Sequence, residues 1–159
     1  MDRMRELALD IYDTVVDQSK LPGALQRFAE AIDARGCIVF EMPDRSVGPT
    51  LTVSAHSEGY EPAVINNYIS HFAVQELADQ APFEACSLSS DKIELVDESI
   101  MGKTKAELRA QPNVRWMRAL GIKHRAGGLL DRDNKNLSRF SVQFSTDANP
   151  PWSRLLAKA

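Results

Sequence analysis

Extended segments in this chain come in adjacent pairs, and that pairing limits the fold more than any other feature of the sequence. Residues 125–130 and 137–146 are separated by Asp131-Arg132-Asp133-Asn134-Lys135-Asn136, a run rich in residues that tolerate turn conformations. In the second arm Phe140, Val142 and Phe144 fall on one face, and Arg139, Ser141, Gln143 and Ser145 on the other. This period-two alternation is that of a half-buried strand. The two arms are therefore expected to form a hairpin whose polar face meets water, as in an antiparallel sheet covered on one side. An earlier pair has the same form. Residues 37–42, Cys-Ile-Val-Phe-Glu-Met, lie between Gly36 and Pro43 and read as a strand. Residues 50–55 set Leu51, Val53 and Ala55 against Thr50, Thr52 and Ser54, with residues 44–49 as the turn between. Strands that pair with their sequence neighbours are not the alternating pattern of a parallel sheet.

Helical periodicity fills the remaining segments. Over residues 3–17, Leu7, Ile11 and Val15 recur every four positions, with Ala8 and Tyr12 beside them, and predict one buried stripe. Pro22 suits the first turn of a second helix, whose face is Leu25, Phe28, Ala29 and Ile32, with Gly36 as a left-handed stop. A third helix opens at Glu61-Pro62. It carries Val64, Tyr68 and Phe72 at four-residue spacing, flanked by Ile65 and Ile69, and is expected to end between residues 77 and 79. Residues 81–95 have no strong pattern beyond a short extended segment at Ile93, Leu95 and Val96. Thr104 and Glu107 form a capping box ahead of Leu108. Pro112 then opens a turn of helix carrying Trp116, Met117 and Leu120, stopped by Gly121. Gly127-Gly128, inside a strand pattern, reads as a bulge or a close backbone approach. After Asn149-Pro150-Pro151, residues 152–159 read as a helix cut short. The fold class expected is α+β, an antiparallel sheet flanked by helices in a PAS-like or GAF-like α/β/α sandwich. The simplest packing lays the helices on one face of the sheet.

A chain of 159 residues fits one domain and can bury a core without metal or disulfide support. Its net charge of -3 gives it no electrostatic reason to sit on DNA or an anionic membrane. No apolar run approaches the roughly 18 residues of a membrane span, and no signal-peptide core opens the chain. A cytoplasmic location is expected. Cys37 lies inside an apolar run and reads as a buried reduced thiol; Cys86 stands far from it.

The motifs of catalysis do not appear. His56, His71 and His124 are scattered, and no metalloprotease, nucleophile-elbow, phosphate-loop or dinucleotide fingerprint occurs. His71, beside Phe72, is the histidine most suited to donating a proton or binding a haem, but a lone histidine is weak evidence. Asp97-Glu98 are adjacent, so in a helix or strand they diverge rather than pair; they read as an acidic helix start. Arg109, Arg115 and Arg118 read as a solvated face. No enzyme activity, metal or cofactor is inferred, although spatial sites can hide in a sequence.

Two stretches carry a family resemblance. Tyr60-Glu61-Pro62-Ala63 leads into Tyr68-Ile69-Ser70-His71-Phe72, and much later comes residues 113–124, Asn-Val-Arg-Trp-Met-Arg-Ala-Leu-Gly-Ile-Lys-His, followed by Gly127-Gly128-Leu129-Leu130. With Leu9-Asp10-Ile11-Tyr12-Asp13 and Leu21-Pro22-Gly23-Ala24-Leu25, this succession resembles the N-terminal sensory domains of LuxR-type helix-turn-helix regulators. The resemblance covers nearly the whole chain as a pattern of elements. It implies a sandwich that binds a small apolar or amphipathic molecule, works as a homodimer, and reaches DNA only through a helix-turn-helix domain that is not in these residues. It also implies that residues 1–149 are the sensory domain and residues 150–159 the start of a linker helix. The acyl-homoserine-lactone branch carries a tryptophan on the aromatic helix, followed by Asp-Pro. Here Tyr68 and Phe72 have no such tryptophan, and Asp79 is separated from Pro82, so neither a lactone nor a ligand-gripping aspartate is inferred.

The ligand-binding residues expected are Phe40, Tyr68, Phe72, Trp116 and Met117. A site for a small amphipathic molecule needs aromatic walls and a few convergent polar groups, and Tyr68 and Trp116 each supply both. The same spacing serves a plain core equally well. A ligand-free dimerisation or protein-interaction module is the alternative reading, and an unrecognised small-molecule enzyme a third.

Overall fold

The computed structural model describes residues 3–43, 50–87, 96–132 and 136–146. Helices α1 (Arg3–Val16) and α2 (Leu21–Ala31) precede strands β1 (Gly36–Met42) and β2 (Thr52–His56). The long helix α3 (Pro62–Ser87) leads to the short strand β3 (Val96–Asp97), then to α4 (Lys105–Ala110) and α5 (Pro112–Ala119). Strands β4 (His124–Arg132) and β5 (Leu137–Phe144) close the sequence of elements. The five strands form one sheet in the order β2-β1-β5-β4-β3, every neighbour antiparallel. The fold is thus the α+β class expected, with helices flanking an antiparallel sheet. The turn at 44–49, the extended residues Ile93 and Leu95, the middle of the 131–136 turn, the break at 149–151, the helix at 152–159 and the domain boundary at 149 lie outside the described residues.

Both faces of the sheet are covered. On one face Cys37, Ala126, Val142 and Phe144 pack with Leu25 and Phe28 of α2 and with Ile32 just after it. On the other, Ile38, Phe40, Met42 and Leu137 pack with Ile65 and Tyr68 of α3 and with Val114 and Met117 of α5. One-sided packing, with a polar outer face on β5, is therefore overturned. Arg139 is only 1% exposed, and Ser141 and Gln143 are also buried. The alternation was real, but it separates two buried faces, one apolar and one polar, because α3 supplies polar partners above the second.

Three other expectations change. Helix α3 runs past residues 77–79 and through Pro82, because Glu76, Asp79 and Gln80 are held in buried contacts that outweigh the local break. Gly36 is not a left-handed stop: Asp33 takes that conformation (φ 60°), while Gly36 opens β1 where a Cβ would collide with the Tyr60 ring. On α1 the stripe is not buried. Leu7 is buried, but Ile11 (47% exposed) and Val15 (79%) face outward with Tyr12 (72%), since α1 meets α2 along a narrow seam completed by Thr14.

The local signals hold elsewhere. Pro22 sits in the first turn of α2. Thr104 and Glu107 make both bonds of the capping box. Gly121 takes φ 83° after α5. Gly127 marks a close approach, since a Cβ there would strike the carbonyl oxygen of Phe140 on β5. Cys37 is a buried free thiol, and burial pushes its pKa up to about 12.

Candidate ligand site

The site lies between the polar-lined face of the sheet and helices α3 and α5. Four-residue spacing on α3 sets Tyr68, Phe72, Glu76 and Gln80 in one row over the sheet. Helix α5, started by Pro112, brings Trp116 and Met117 alongside. The rings of Tyr68, Phe72 and Trp116 form a triangle with centroids 5.4 Å, 5.4 Å and 6.0 Å apart, all tilted rather than stacked. Tilted aromatic contacts of this length are favourable beyond the area they bury.

Beneath this triangle is a cavity of about 40 Å³. Phe40, Tyr68, Trp116 and Met117, four of the five residues singled out from the sequence, line it. Phe72 does not; it supports the other two rings from behind. Ile38, Ile65 and Ile122 complete the apolar wall, and Tyr60, Glu76, Arg125, Ser141 and Gln143 supply polar groups. None of these polar residues is among the ligand contacts expected from the sequence: Ser141 and Gln143 read as the solvent face of β5, and Tyr60, Glu76 and Arg125 carry no pattern that assigns them a face. A paired cue was present in the letters: three acidic side chains, Glu76, Asp79 and Glu98, for one strand arginine, Arg125. Only the fold brings them together.

The polar end is an ion-pair network. Arg125 donates from Nη1 to Glu76 Oε2 (2.8 Å), from Nη2 to Asp79 Oδ2 (3.4 Å) and from Nε to Glu98 Oε1 (2.9 Å). Glu76 also accepts from the Tyr68 hydroxyl and from Gln80 Nε2. Asp79 accepts from Asn113 Nδ2 at 2.8 Å and Gln75 Nε2 at 3.2 Å, with Lys103 Nζ 3.7 Å away. Arg139 donates to the carbonyl of Gln80 at 3.0 Å, tying β5 to α3. Next to it, Tyr60 donates to Gln143 Oε1 (3.1 Å), and Gln143 Nε2 donates to the backbone and hydroxyl oxygens of Ser141 (3.0 Å each). Burial works against charge on Arg125, but the carboxylates of Glu76 and Glu98 more than offset it and hold its pKa above the ordinary value. Burial first, and the Glu76 charge second, push the Tyr68 hydroxyl well above its usual range, and burial does the same to Tyr60.

The ionisable groups at the cavity are engaged with one another, and the catalytic geometry of a nucleophile beside a free base does not arise among them. His71 is exposed on α3, its Nδ1 2.9 Å from the carbonyl of Asn67, and does not line the cavity. His124 lies at the sheet edge, within 3.8 Å of Asp97 and 3.7 Å of Glu98. Among the described residues no group of three metal-binding side chains converges, and no helix is long and apolar enough to cross a membrane.

The five-stranded antiparallel sheet with flanking helices is an α+β fold like that of LuxR autoinducer-binding domains. Solved structures similar to this chain include the LBD domain of VqsR from Pseudomonas aeruginosa, with 12% identity and a TM-score of 0.61 over 98% of this chain and 88% of that one. CepR2 from Burkholderia cenocepacia, an N-acylhomoserine lactone dependent LuxR family transcription factor, matches at 14% identity and a TM-score of 0.59, covering 96% and 85%. Escherichia coli SdiA matches at 14% identity and 0.55, covering 88% of this chain and 55% of SdiA. At these identities the likeness is one of fold. No protein-family model and no curated protein sequence matches the chain.

Proposed function

We propose that this chain is the small-molecule-sensing domain of a LuxR-family transcription regulator and that it binds a small apolar or amphipathic molecule without transforming it. The observation that carries the reading is the cavity between the sheet and helices α3 and α5, walled by Tyr68 and Trp116 and closed at one end by Glu76 and Arg125. An apolar enclosure with a few polar groups at one end orients an amphiphile. Phe40, Tyr68, Trp116 and Met117 are its contacts, with Phe72 holding the rings in place. DNA binding belongs to a helix-turn-helix domain outside these residues, the protein acts as a homodimer, and it works in the cytoplasm.

The test is direct binding. SdiA has been solved with octanoyl-rac-glycerol, and CepR2 is described as acyl-homoserine-lactone dependent, so both ligand types are the first probes. Native mass spectrometry of the purified protein reads out any co-purified molecule, and calorimetric titration reads out added ones. Saturable binding of a neutral amphiphile, lost in Trp116→Phe, is the expected result. A protein that comes up empty and binds neither probe defeats the sensing reading.

One observation favours a second role alongside it. Helix α1 exposes Leu9, Ile11, Tyr12, Val15 and Val16 together. Exposed apolar clusters of this kind mark contact surfaces, and a dimerisation module that has lost its ligand would keep such a face while filling its interior.

A further inference from the structure

One side chain of α3 stands between two spaces. Ile65, itself buried, lines the internal cavity and also an outer groove of about 440 Å³ between β2 and the start of α3. On the sheet side the partition continues through Phe40, which lines the cavity, and its cross-strand partner Val53, which lines the groove. The register shifts at this point, consecutive Val39 and Phe40 facing Ala55 and Val53 so that Ser54 of β2 is left over, and such irregularities re-aim side chains. At Ile65 the wall between cavity and groove is therefore one side chain thick.

The sizes of the two spaces matter. The cavity alone, at about 40 Å³, has room for a few water molecules, each needing ~10–15 Å³. Ligand pockets occupy ~300–1,000 Å³. The groove is of that order, and its lining mixes apolar Leu51, Val53, Ile65 and Ile69 with polar Thr52, His56, Asn66 and Ser70. The cavity wall runs along α3 from Val64 to Glu76, a helical rise of about 18 Å at 1.5 Å per residue. A guest that fits this space is long and narrow.

We propose that Ile65 is the gate between cavity and groove, and that the apolar tail of an elongated amphiphile passes it while the polar head stays at the Glu76–Arg125 end. The identity of the guest rests on the sensing function proposed above. The passage itself does not, and it can be tested without a ligand.

Trp116 lines the cavity, and replacing Trp152 by Phe leaves it as the sole tryptophan of the chain. Trp116 is itself only half-buried, so the rise in acrylamide quenching of that Trp152→Phe protein above the parent level, rather than quenching as such, reports added access from the cavity side. Ile65→Ala is expected to raise the quenching constant several-fold. Ile65→Val, which removes one methyl group and disturbs folding least, raises it less. Adding Val53→Phe to Ile65→Ala refills the wall and restores shielding. Val142→Ala on the opposite face of the sheet leaves quenching unchanged. Equal quenching in the Ile65 variants and the parent overturns the gate, as does an equal rise from Val142→Ala, which would report general loosening. The tail is tested by calorimetry with octanoyl-, dodecanoyl- and hexadecanoylglycerol. Ile65→Ala should shift preference toward the longer chains, and binding with an unchanged preference overturns the threading. Failure of the parent to bind any of the three counts against the sensing function, whereas the gate stands or falls on the quenching.

Discussion

Arg125 on β4 donates to Glu76 on α3 across 2.8 Å, with both side chains almost wholly removed from water. Removing one partner of a buried ion pair leaves an uncompensated charge and costs about 3–5 kcal/mol. Arg125→Met also takes the guanidinium from Asp79 and Glu98, so it should lower the unfolding free energy, read from urea denaturation, by an amount in that range. Glu76→Gln combined with Arg125→Met should recover part of the loss, because one of the stranded charges is then gone. A single Arg125→Met change within ~1 kcal/mol of the parent, the scale of an exposed pair, would show that the network is solvated in solution.

Alkaline pH should destabilise the domain, and the sign follows from three buried groups. Burial holds Cys37 at about 12 against an ordinary 9.0, and it also raises Tyr60 and Tyr68 above their ordinary 10.0. Each group binds its proton more tightly when folded than unfolded. The stability this adds is complete below the unfolded pKa and is lost as pH rises through the folded one. The unfolding free energy should therefore fall from about pH 9 upward, more gently in Cys37→Ala once that variant's own packing loss is subtracted. In a Cys86→Ser background the Cys37 thiol should react with a thiol reagent no faster than the protein opens, since it is both buried and protonated. Flat stability across the alkaline range, or rapid labelling of Cys37, would contradict the burial of these groups.

Most of this fold was legible because local rules and tertiary packing agree there. The capping box at Thr104 and Glu107, the left-handed Gly121, and the pairing of strands in two hairpin-like sets each follow from a handful of neighbouring residues. The polar face of β5 was not legible for a physical reason. Alternation reports that two faces differ; it does not report which is wet. Arg139, Ser141 and Gln143 read as solvent-facing until α3 is seen to place Gln80 over Arg139 and the loop before α3 to place Tyr60 over Gln143. The candidate site divides the same way. Its aromatic wall showed itself as spacing on α3 and α5. Its polar end, built by Glu76 and Arg125 49 residues apart, exists only after folding.

The aromatic triangle allows stability and binding to be separated at Trp116. Phe in its place keeps a ring against Tyr68 and Phe72 and removes the indole N–H together with part of the cavity wall. Because Trp116 is only partly buried and keeps a ring in place, the loss should stay well below the ~3–5 kcal/mol of truncating a buried Trp to Ala. Trp116→Phe should therefore unfold close to the parent in a thermal melt while losing its calorimetric response to a bound amphiphile. Tyr68→Phe is the contrasting case. It deprives buried Glu76 of a donor, and the expected penalty is about 1–3 kcal/mol of stability. If Trp116→Phe binds as tightly as the parent, the indole has no part in holding the guest.

Helix α1 carries the clearest prediction about assembly. At 100° per residue Ile11, Val15, Ala8, Tyr12, Val16 and Leu9 follow one another around the helix from beside buried Leu7 to the far side, with Arg5 the sole charge among them, while Glu6, Asp10 and Asp13 form a separate acidic edge. Val16 is 92% exposed and Val15 79%, so the chain gains little from these two side chains unless a second surface covers them. In a twofold antiparallel pairing of two copies of α1, like flanks meet, and Arg5 of one copy runs along the flank that ends in Asp13 of the other. Sedimentation equilibrium should therefore show a dimer, and Tyr12→Glu with Val16→Glu should yield a monomer. Because both positions are exposed, the double variant should change the monomer's own stability by no more than about 0.5 kcal/mol per site. A parent chain that stays monomeric at high micromolar concentration, or a double variant that sediments as the parent dimer, would remove α1 as the contact.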